Sequence, residues 1–422
     1  MPARSTALFS ALAFACGGGP RLPASDASVD AAASWDAEAP DASPTCAVPD
    51  ADGDGFDAHA CGGYDCDDED PEIRPGAFDH NGWTIVPVGD DGWAPALATA
   101  PDGVLHLVYS SSAGLQHASS DDAWAPETID PTATRGASIV VASDGAVHVG
   151  YVEGTGEGES NLKYAVWADG QWSVEAVAPS ASQTSSAIAS VALGPDGQPH
   201  LGYELRWREG WFRVEVAARS EGTWVAEIVE ESSLPGAAPA LAWTSDGELH
   251  VIATEPEDRD LLHYFRGGDG WTHEIVDNEG GWGRHDVLPS GDGLVVVYGS
   301  GNIASWTDGW WTRGPSPGFD GGGADLVLDL AGQFHLSGAV LEAVFDSGEM
   351  PFVTYATPSS PGEWSRETFD ECDGGTSIAL DLDDRPYIAY ENRRAVFLAW
   401  RDGELDGIDQ NCDGADGDSP AW

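Results

Sequence analysis

At 422 residues the chain has room for one large domain and an accessory module, and its 72 acidic residues face only 18 basic ones, for a net charge of -54. That balance excludes nucleic-acid partners, because phosphate binding needs clustered Lys and Arg and Lys163 is the single lysine, and it equally excludes a basic patch lying on a membrane. Excess carboxylate suits Ca²⁺, high salt or plain solubility, while 53 Gly and 18 Trp beside 2 Met describe a turn-rich β protein.

The chain opens with Arg4 ahead of an apolar run, Ala7 to Ala15, which is too short to span a bilayer and has the length of a signal-peptide core. It ends Ala13-Phe14-Ala15-Cys16-Gly17-Gly18-Gly19. This resembles a bacterial lipoprotein signal, in which the Cys is lipidated and becomes the new N-terminus. Phe14 is bulkier than that pattern prefers, and Leu12 stands one place early. Residues 1–16 are therefore expected to be a signal segment, with Cys16 lipidated or the segment cleaved and the protein secreted. Either way the location is extracytoplasmic, at the outer membrane or cell surface or in the medium, and the membrane is reached only through the lipid. Residues 17–45 are Ala, Ser, Asp, Pro and Gly with little to bury, and read as a tether.

From residue 46 to 81 the composition turns acidic, and a second acidic piece follows at 404–418; together they hold 17 acids and one Arg. Between them, residues 82–403 repeat. A turn followed by an apolar strand recurs at Asp102-Gly103 with His106, Asp144-Gly145 with His148, Asp196-Gly197 with His200, and Asp246-Gly247 with His250. It recurs more weakly at Asp292-Gly293, at Ala331-Gly332 with His335, and at Asp383-Asp384 with Tyr387. Each signpost is preceded by a short apolar run and followed by a third strand, a tight turn and a Trp strand, marked by Trp124, Trp172, Trp224, Trp271, Trp311 and Trp364.

Four short antiparallel strands in roughly 40–50 residues are what a propeller blade needs, because one small sheet cannot bury both faces alone. The last repeat ends at Arg401-Asp402-Gly403 with no Trp strand of its own, while Gly82-Trp83-Thr84-Ile85-Val86-Pro87-Val88 is a Trp strand with no partner before it. The expected fold is all-β: a seven-bladed β-propeller closed by this N-terminal outer strand, with six or eight blades as alternatives. Pro87 fits an outermost strand, where its missing N–H leaves no bond unmade. Closure would bring the two acidic segments together as one discontinuous, Cys-containing Ca²⁺-loop module.

In the acidic segments, Asp50-x-Asp52-x-Asp54-Gly55 sets carboxylates at alternate positions before a glycine, which lets the backbone wrap a hard cation, and Asp409-x-Asn411-x-Asp413-Gly414 repeats the arrangement. An EF-hand would place Glu at its twelfth position, where Cys61 and Pro420 stand. Asp57, Asp65, Asp67, Asp68, Asp70 and Asp406 are available to complete the ligand set, with Ca²⁺ the expected ion and another divalent metal the alternative. Asp50 to Gly55, Asp65 to Ala77 and Asp406 to Gly414 resemble the MopE-type metal-binding repeat of secreted myxobacterial proteins. That family runs the three parts together; here more than 300 residues divide them. The resemblance covers about 50 residues and implies divalent-metal binding without catalysis. Among the six cysteines, Cys46–Cys61 and Cys66–Cys412 are the favoured disulfides, leaving Cys372 over, although spacing alone does not fix the pairing.

The histidines at equivalent positions read as structural groups, each bonded to backbone or to a side chain of the next blade, because one sheet spacing of ~10 Å separates neighbours and Zn²⁺ needs its nitrogens within ~2.1 Å. The Trp series reads as blade-packing core. No hydrolase, zinc-protease or nucleotide-binding motif is present. The loops entering the first strands hold Trp93, Arg135, Trp282, Arg284 and His285, which form the candidate ligand face. The expected function is a monomeric binding module for a protein or glycan, with a lectin or a glycan-acting propeller hydrolase or lyase as the alternative.

Overall fold

The computed structural model describes residue 51 and residues 82–401, apart from 133, 155–159, 169, 179–188, 207–211, 221, 233–236, 256–259, 269, 279–284, 321–322, 345–347 and 374. The signal segment, the tether, both acidic segments apart from Ala51, and every cysteine except Cys372 lie outside the described residues.

Among the described residues, twenty-eight strands form seven four-stranded antiparallel sheets. Strand β1 is Trp83–Gly89. The first sheet is β2 (Trp93–Thr99), β3 (Leu105–Ser111), β4 (Gly114–Ser119) and β5 (Glu127–Asp130); the second is β6 (Thr134–Val141), β7 (Val147–Gly154), β8 (Ser160–Ala168) and β9 (Gln171–Ala178). The third is β10 (Ala189–Leu193), β11 (Pro199–Arg206), β12 (Phe212–Ser220) and β13 (Thr223–Ser232), and the fourth β14 (Ala237–Trp243), β15 (Leu249–Thr254), β16 (Leu261–Gly267) and β17 (Gly270–Asp277). The fifth is β18 (Asp286–Ser290), β19 (Gly293–Tyr298), β20 (Asn302–Thr307) and β21 (Trp310–Arg313), and the sixth β22 (Asp325–Leu328), β23 (Phe334–Val344), β24 (Gly348–Ser360) and β25 (Glu363–Glu371). The seventh is β26 (Thr376–Leu380), β27 (Pro386–Asn392) and β28 (Ala395–Arg401), with β1 as its fourth strand. Trp83 stands opposite Arg401, Ile85 opposite Ala399 and Pro87 opposite Phe397, so Pro87 lies on an edge strand.

The first strands β2, β6, β10, β14, β18, β22 and β26 follow one another around an axis, and β26 returns to β2. This is a seven-bladed β-propeller. The inner strand of each sheet has an unpaired edge, whose N–H groups need acceptors. At four junctions a side-chain oxygen of the preceding sheet supplies one. Val191 N donates to Ser138 Oγ at 3.2 Å, Leu241 N to Ser190 Oγ at 3.2 Å, Ile378 N to Asp325 Oδ2 at 2.9 Å, and Leu97 N to Ser377 Oγ at 3.0 Å.

Seven buried clusters lie one at each junction between sheets, so the core is divided among the interfaces instead of filling the axis. Each repeat's Trp packs against the preceding sheet: Trp124 on the seventh, Trp172 on the first, Trp224 on the second, Trp271 on the third, Trp311 on the fourth, Trp364 on the fifth and Trp83 on the sixth. Trp83 is 2% exposed and stacks on Phe369 with centroids 4.3 Å apart. Trp124 departs from the expected pattern. It sits in a turn ahead of β5 with a left-handed backbone (φ 60°).

A second device recurs at three junctions. A Tyr from the second strand of one sheet donates its hydroxyl to an Asp ending the fourth strand of the sheet before: Tyr151 to Asp130 at 2.6 Å, Tyr298 to Asp277 at 2.7 Å, and Tyr390 to Asp370. Lys163 joins the first of these, at 2.8 Å from Asp130 and 3.1 Å from Glu153. Burial alone would raise the Asp130 carboxyl, but hydrogen bonds from Lys163, Tyr151 and Thr132 hold it at about 2. At the perimeter Arg219–Glu175, Arg266–Glu227 and Arg401–Glu367 pair neighbouring sheets.

Trp83→Ala should cost about 3–5 kcal/mol, as for other buried Trp truncations. Trp310→Ala, at a side chain 77% exposed, should stay within about 0.5 kcal/mol. Urea unfolding of the two variants measures both, and equal costs would contradict the burial assigned to β1.

Candidate functional site

The candidate ligand face is best defined where the first and seventh sheets meet. The β27–β28 hairpin turns on Arg393 and Arg394, both with positive φ (49° and 66°), a tight-turn geometry that usually belongs to Asn and Gly. Arg393 reaches Glu371 at 3.0 Å. Arg394 lies 3.5 Å from Asp91 and over the ring of Trp93, 5.9 Å from its centroid. Its carbonyl accepts from Gly92 N at 2.8 Å. A side chain at Gly92 would meet the Tyr109 ring at 2.7 Å, so this close approach requires glycine.

Next to Trp93, Ala94 is held at φ 52°, and its N–H donates to Glu391 Oε2 at 3.3 Å. Burial raises the Glu391 carboxyl, and Asp373 adds to the rise, against lowering by the Ala94 N–H and Arg394. An aromatic ring, a guanidinium and a half-buried carboxyl thus share one corner, on a backbone strained at three residues.

The other face residues expected from sequence fare differently. Arg135 lies on β6, near its start, and Trp282 and Arg284 lie outside the described residues. His285 is buried and donates from Nε2 to the Ile252 carbonyl at 2.9 Å, so it serves the junction of the fourth and fifth sheets. The metal set Asp50, Asp52, Asp54, Asp57, Asp65, Asp67, Asp68, Asp70, Asp406, Asp409, Asn411 and Asp413 lies outside the described residues, as do Cys16, Cys46, Cys61, Cys66 and Cys412. Cys372 is buried in the cluster between the sixth and seventh sheets. Among the described residues no group of three or more His, Cys, Asp or Glu is placed to hold a metal ion.

The signpost histidines are structural, but their bonds run within a sheet instead of to the next one. His148 and His335 bond the hydroxyls of Tyr164 and Tyr355, each at 2.5 Å. His200 bonds the Gln198 carbonyl at 3.0 Å. In the first and fourth sheets the partner is a second His: His106 Nδ1 to His117 Nε2 at 3.0 Å, and His250 Nδ1 to His263 Nε2 at 2.7 Å. His117 and His263 in turn donate from Nδ1 to Glu127 and Glu274, each at 3.0 Å. That donation fixes the proton on Nδ1 and leaves Nε2 to accept. The next sheet contributes Trp172 against His117, Trp306 and Trp311 against His263, and Trp243 against His200.

Sequence reading missed Glu391 and Arg394, and it missed the Tyr–Asp clamps. A signal for the clamps was present, since Asp130, Asp277 and Asp370 each follow a marker Trp by six residues. The corner left no such mark, because Trp93 and Glu391 stand in the first and last sheets of the propeller, far apart in sequence.

No known family profile matches the sequence, and no curated protein matches it. Solved structures that align with it include virginiamycin B lyase from Staphylococcus aureus, at 12% identity over 75% of this chain and 99% of that one, with a TM-score of 0.47. An α-L-arabinofuranosidase from Fusarium graminearum aligns at 11% identity over 66% of this chain and 99% of its own, with a TM-score of 0.48. A Hadza microbial sialidase aligns at 15% identity over 75% and 68%, with a TM-score of 0.43. None of these likenesses transfers an activity to this chain.

Burial, together with the neighbouring His117 and His263, pushes His106 and His250 down to about 4. Unfolded imidazoles take up protons near 6.5, so between these values the unfolded chain binds more protons. Their contribution to stability is therefore complete above pH 6.5 and is lost as pH falls toward 4. Urea midpoints across that window should fall less steeply in the His106→Gln, His250→Gln double variant than in the parent. Equal slopes would show that these rings are not the titrating groups.

Proposed function

We propose that this chain is an extracytoplasmic binding protein: a rigid propeller that presents the Trp93–Glu391–Arg394 corner to a protein or glycan ligand and carries a Ca²⁺-organised acidic module on its flanks. The corner is the observation that carries the reading. Trp and Arg are the side chains that dominate binding surfaces, and here Trp93 stands on β2 and Arg394 in the tight turn joining β27 to β28. Arg393 and Arg394 form the two-residue turn between β27 and β28, whereas the positive φ of Ala94 lies within β2 and serves no turn, and backbone strain of that kind gathers at functional sites.

The metal module rests on its alternating carboxylates and on the MopE-type resemblance. What supports its assembly from two distant segments is the register of β1 with β28, which sets Trp83 opposite Arg401. Crowded carboxylates at ~4 Å repel by about 1 kcal/mol per pair even in water, and a bound cation removes that cost. Export and lipidation at Cys16 belong to the same proposal, on the strength of the N-terminal pattern.

A glycan ligand is the second reading, favoured by a half-buried Trp93 flanked by Asp91 and Arg394, since an aromatic face beside charged hydrogen-bonding groups is the pairing that sugars use. If the carboxyl of Glu391 serves as a proton donor there, the protein is a hydrolase or lyase instead of a lectin.

Titrating the protein with Ca²⁺ in a calorimeter should show heat of binding and a raised melting temperature, with about 2.7 kcal/mol of stabilisation at 100 times Kd. A melting temperature that ignores both Ca²⁺ and chelator removes the metal module. On a panel of glycans and surface proteins, Trp93→Ala should weaken any hit at least about 30-fold, the loss expected of a binding hot spot. Turnover of a glycan hit, abolished by Glu391→Gln, would establish the enzymatic alternative. Binding that is indifferent to both substitutions would move the ligand face elsewhere.

A further inference from the structure

The axis of the ring is a cavity of about 910 Å³, walled by the first strands of all seven sheets. Its charges are one-sided. Asp286 and Asp325 lie where first strands begin, and Asp329, Asp381 and Asp384 lie at the turns where they end. No Lys or Arg is among the described residues that line it. Between the two acidic ends the wall is aliphatic, with Leu97, Val191, Leu241 and Ile378. The N–H groups of those same four residues are engaged by side-chain oxygens of the preceding sheet. Four of the edge donors along the wall are thereby engaged, and the described lining carries no positive side chain of Lys or Arg. A low-dielectric passage of this kind focuses negative potential along its axis.

We propose that the channel receives an extended, basic peptide segment of a partner protein, five or six residues long, with Lys or Arg side chains at both acidic ends. Size decides between this occupant and a small cation. An extended strand fills a cross-section of roughly 4.8 by 10 Å and rises ~3.3 Å per residue, or ~160 Å³ each, so the cavity holds about five or six residues. The inner strands themselves run four to eight residues, so a guest of five or six spans from one acidic end to the other. A linear polyamine would leave most of this volume to water. The guest is held by charge, through the Asp side chains at the two ends of the channel.

The carboxylates keep capacity for it. Asp384 Oδ1 accepts from Leu330 N at 3.2 Å, and a carboxylate has about four acceptor positions. Docking here is separate from the corner at Trp93, and either can fail alone.

The test is fluorescence anisotropy of labelled hexalysine with the full chain at physiological ionic strength. One peptide should bind per chain, with affinity rising from three lysines to six and then levelling. The Asp286→Asn, Asp384→Asn double variant, which keeps both acceptor oxygens, should weaken binding at least tenfold. Asp122→Asn with Asp308→Asn, the same charge change at exposed turns away from the channel, should leave it within twofold. On the unaltered protein, a branched hexalysine of equal charge, too wide to enter, should bind at least tenfold more weakly than the linear one. Equal loss in the two double variants, equal binding of linear and branched peptides, or several peptides per chain would each overturn the proposal, since surface charge would then explain the binding.

Discussion

The ring depends on how the unpaired edge of each innermost strand is satisfied. A four-stranded sheet always has two edges, and here the inner one faces the axis, where other strands cannot pair with it. Side-chain oxygens from the preceding sheet take over at four of the junctions, and the bond from Leu97 N to Ser377 Oγ carries the arrangement across the point where the first sheet meets the last. Left unsatisfied, such an edge would cost about 1–3 kcal/mol for each buried donor and would invite foreign strands.

From the axis outward, each junction uses a different kind of contact. Hydrogen bonds to small side chains come first, then aliphatic residues, then the Tyr, His and Trp layer, and last the ion pairs at the rim. The order follows from wedge-shaped sheets that diverge as the radius grows: small residues fit where backbones approach, and Trp fits where they part. Gly202, whose added side chain would lie 3.0 Å from Leu241, marks the crowded inner zone. The rim pairs are exposed and contribute little each, so specificity between neighbouring sheets comes mainly from the buried Tyr–Asp bonds.

Much of this was written plainly in the chain. The Asp-Gly signposts are legible because the turn between first and second strands needs a left-handed residue, as at Gly103 (φ 91°). The weak signposts have a local cause. In the fifth sheet the left-handed residue moves to Gly291, and in the seventh Asp384 takes it at φ 60°. The marker Trp residues are legible because every junction needs one wide apolar group at the same radius. The strand at Trp83 stands out because no signpost precedes it. The His–His–Glu chains and the Trp93 corner were not legible. The chains depend on which strand-three residue faces which strand-two residue, a matter of register, and the corner joins residues from the two ends of the ring, which no local pattern announces.

The pairing of the first strand with the last also sets a timetable. Trp83 and its partner Glu367 are 284 residues apart, and β28 lies farther still. At ordinary ribosomal speeds, on the order of half a minute separates their emergence. Throughout that interval β1 is an uncovered ribbon carrying a large indole, and the six complete sheets form an open arc with two raw ends. The strands of the seventh sheet therefore convert a vulnerable chain into a finished object all at once. Once shut, the ring has no terminal sheet from which to peel, so its lifetime is set by a concerted opening and not by fraying.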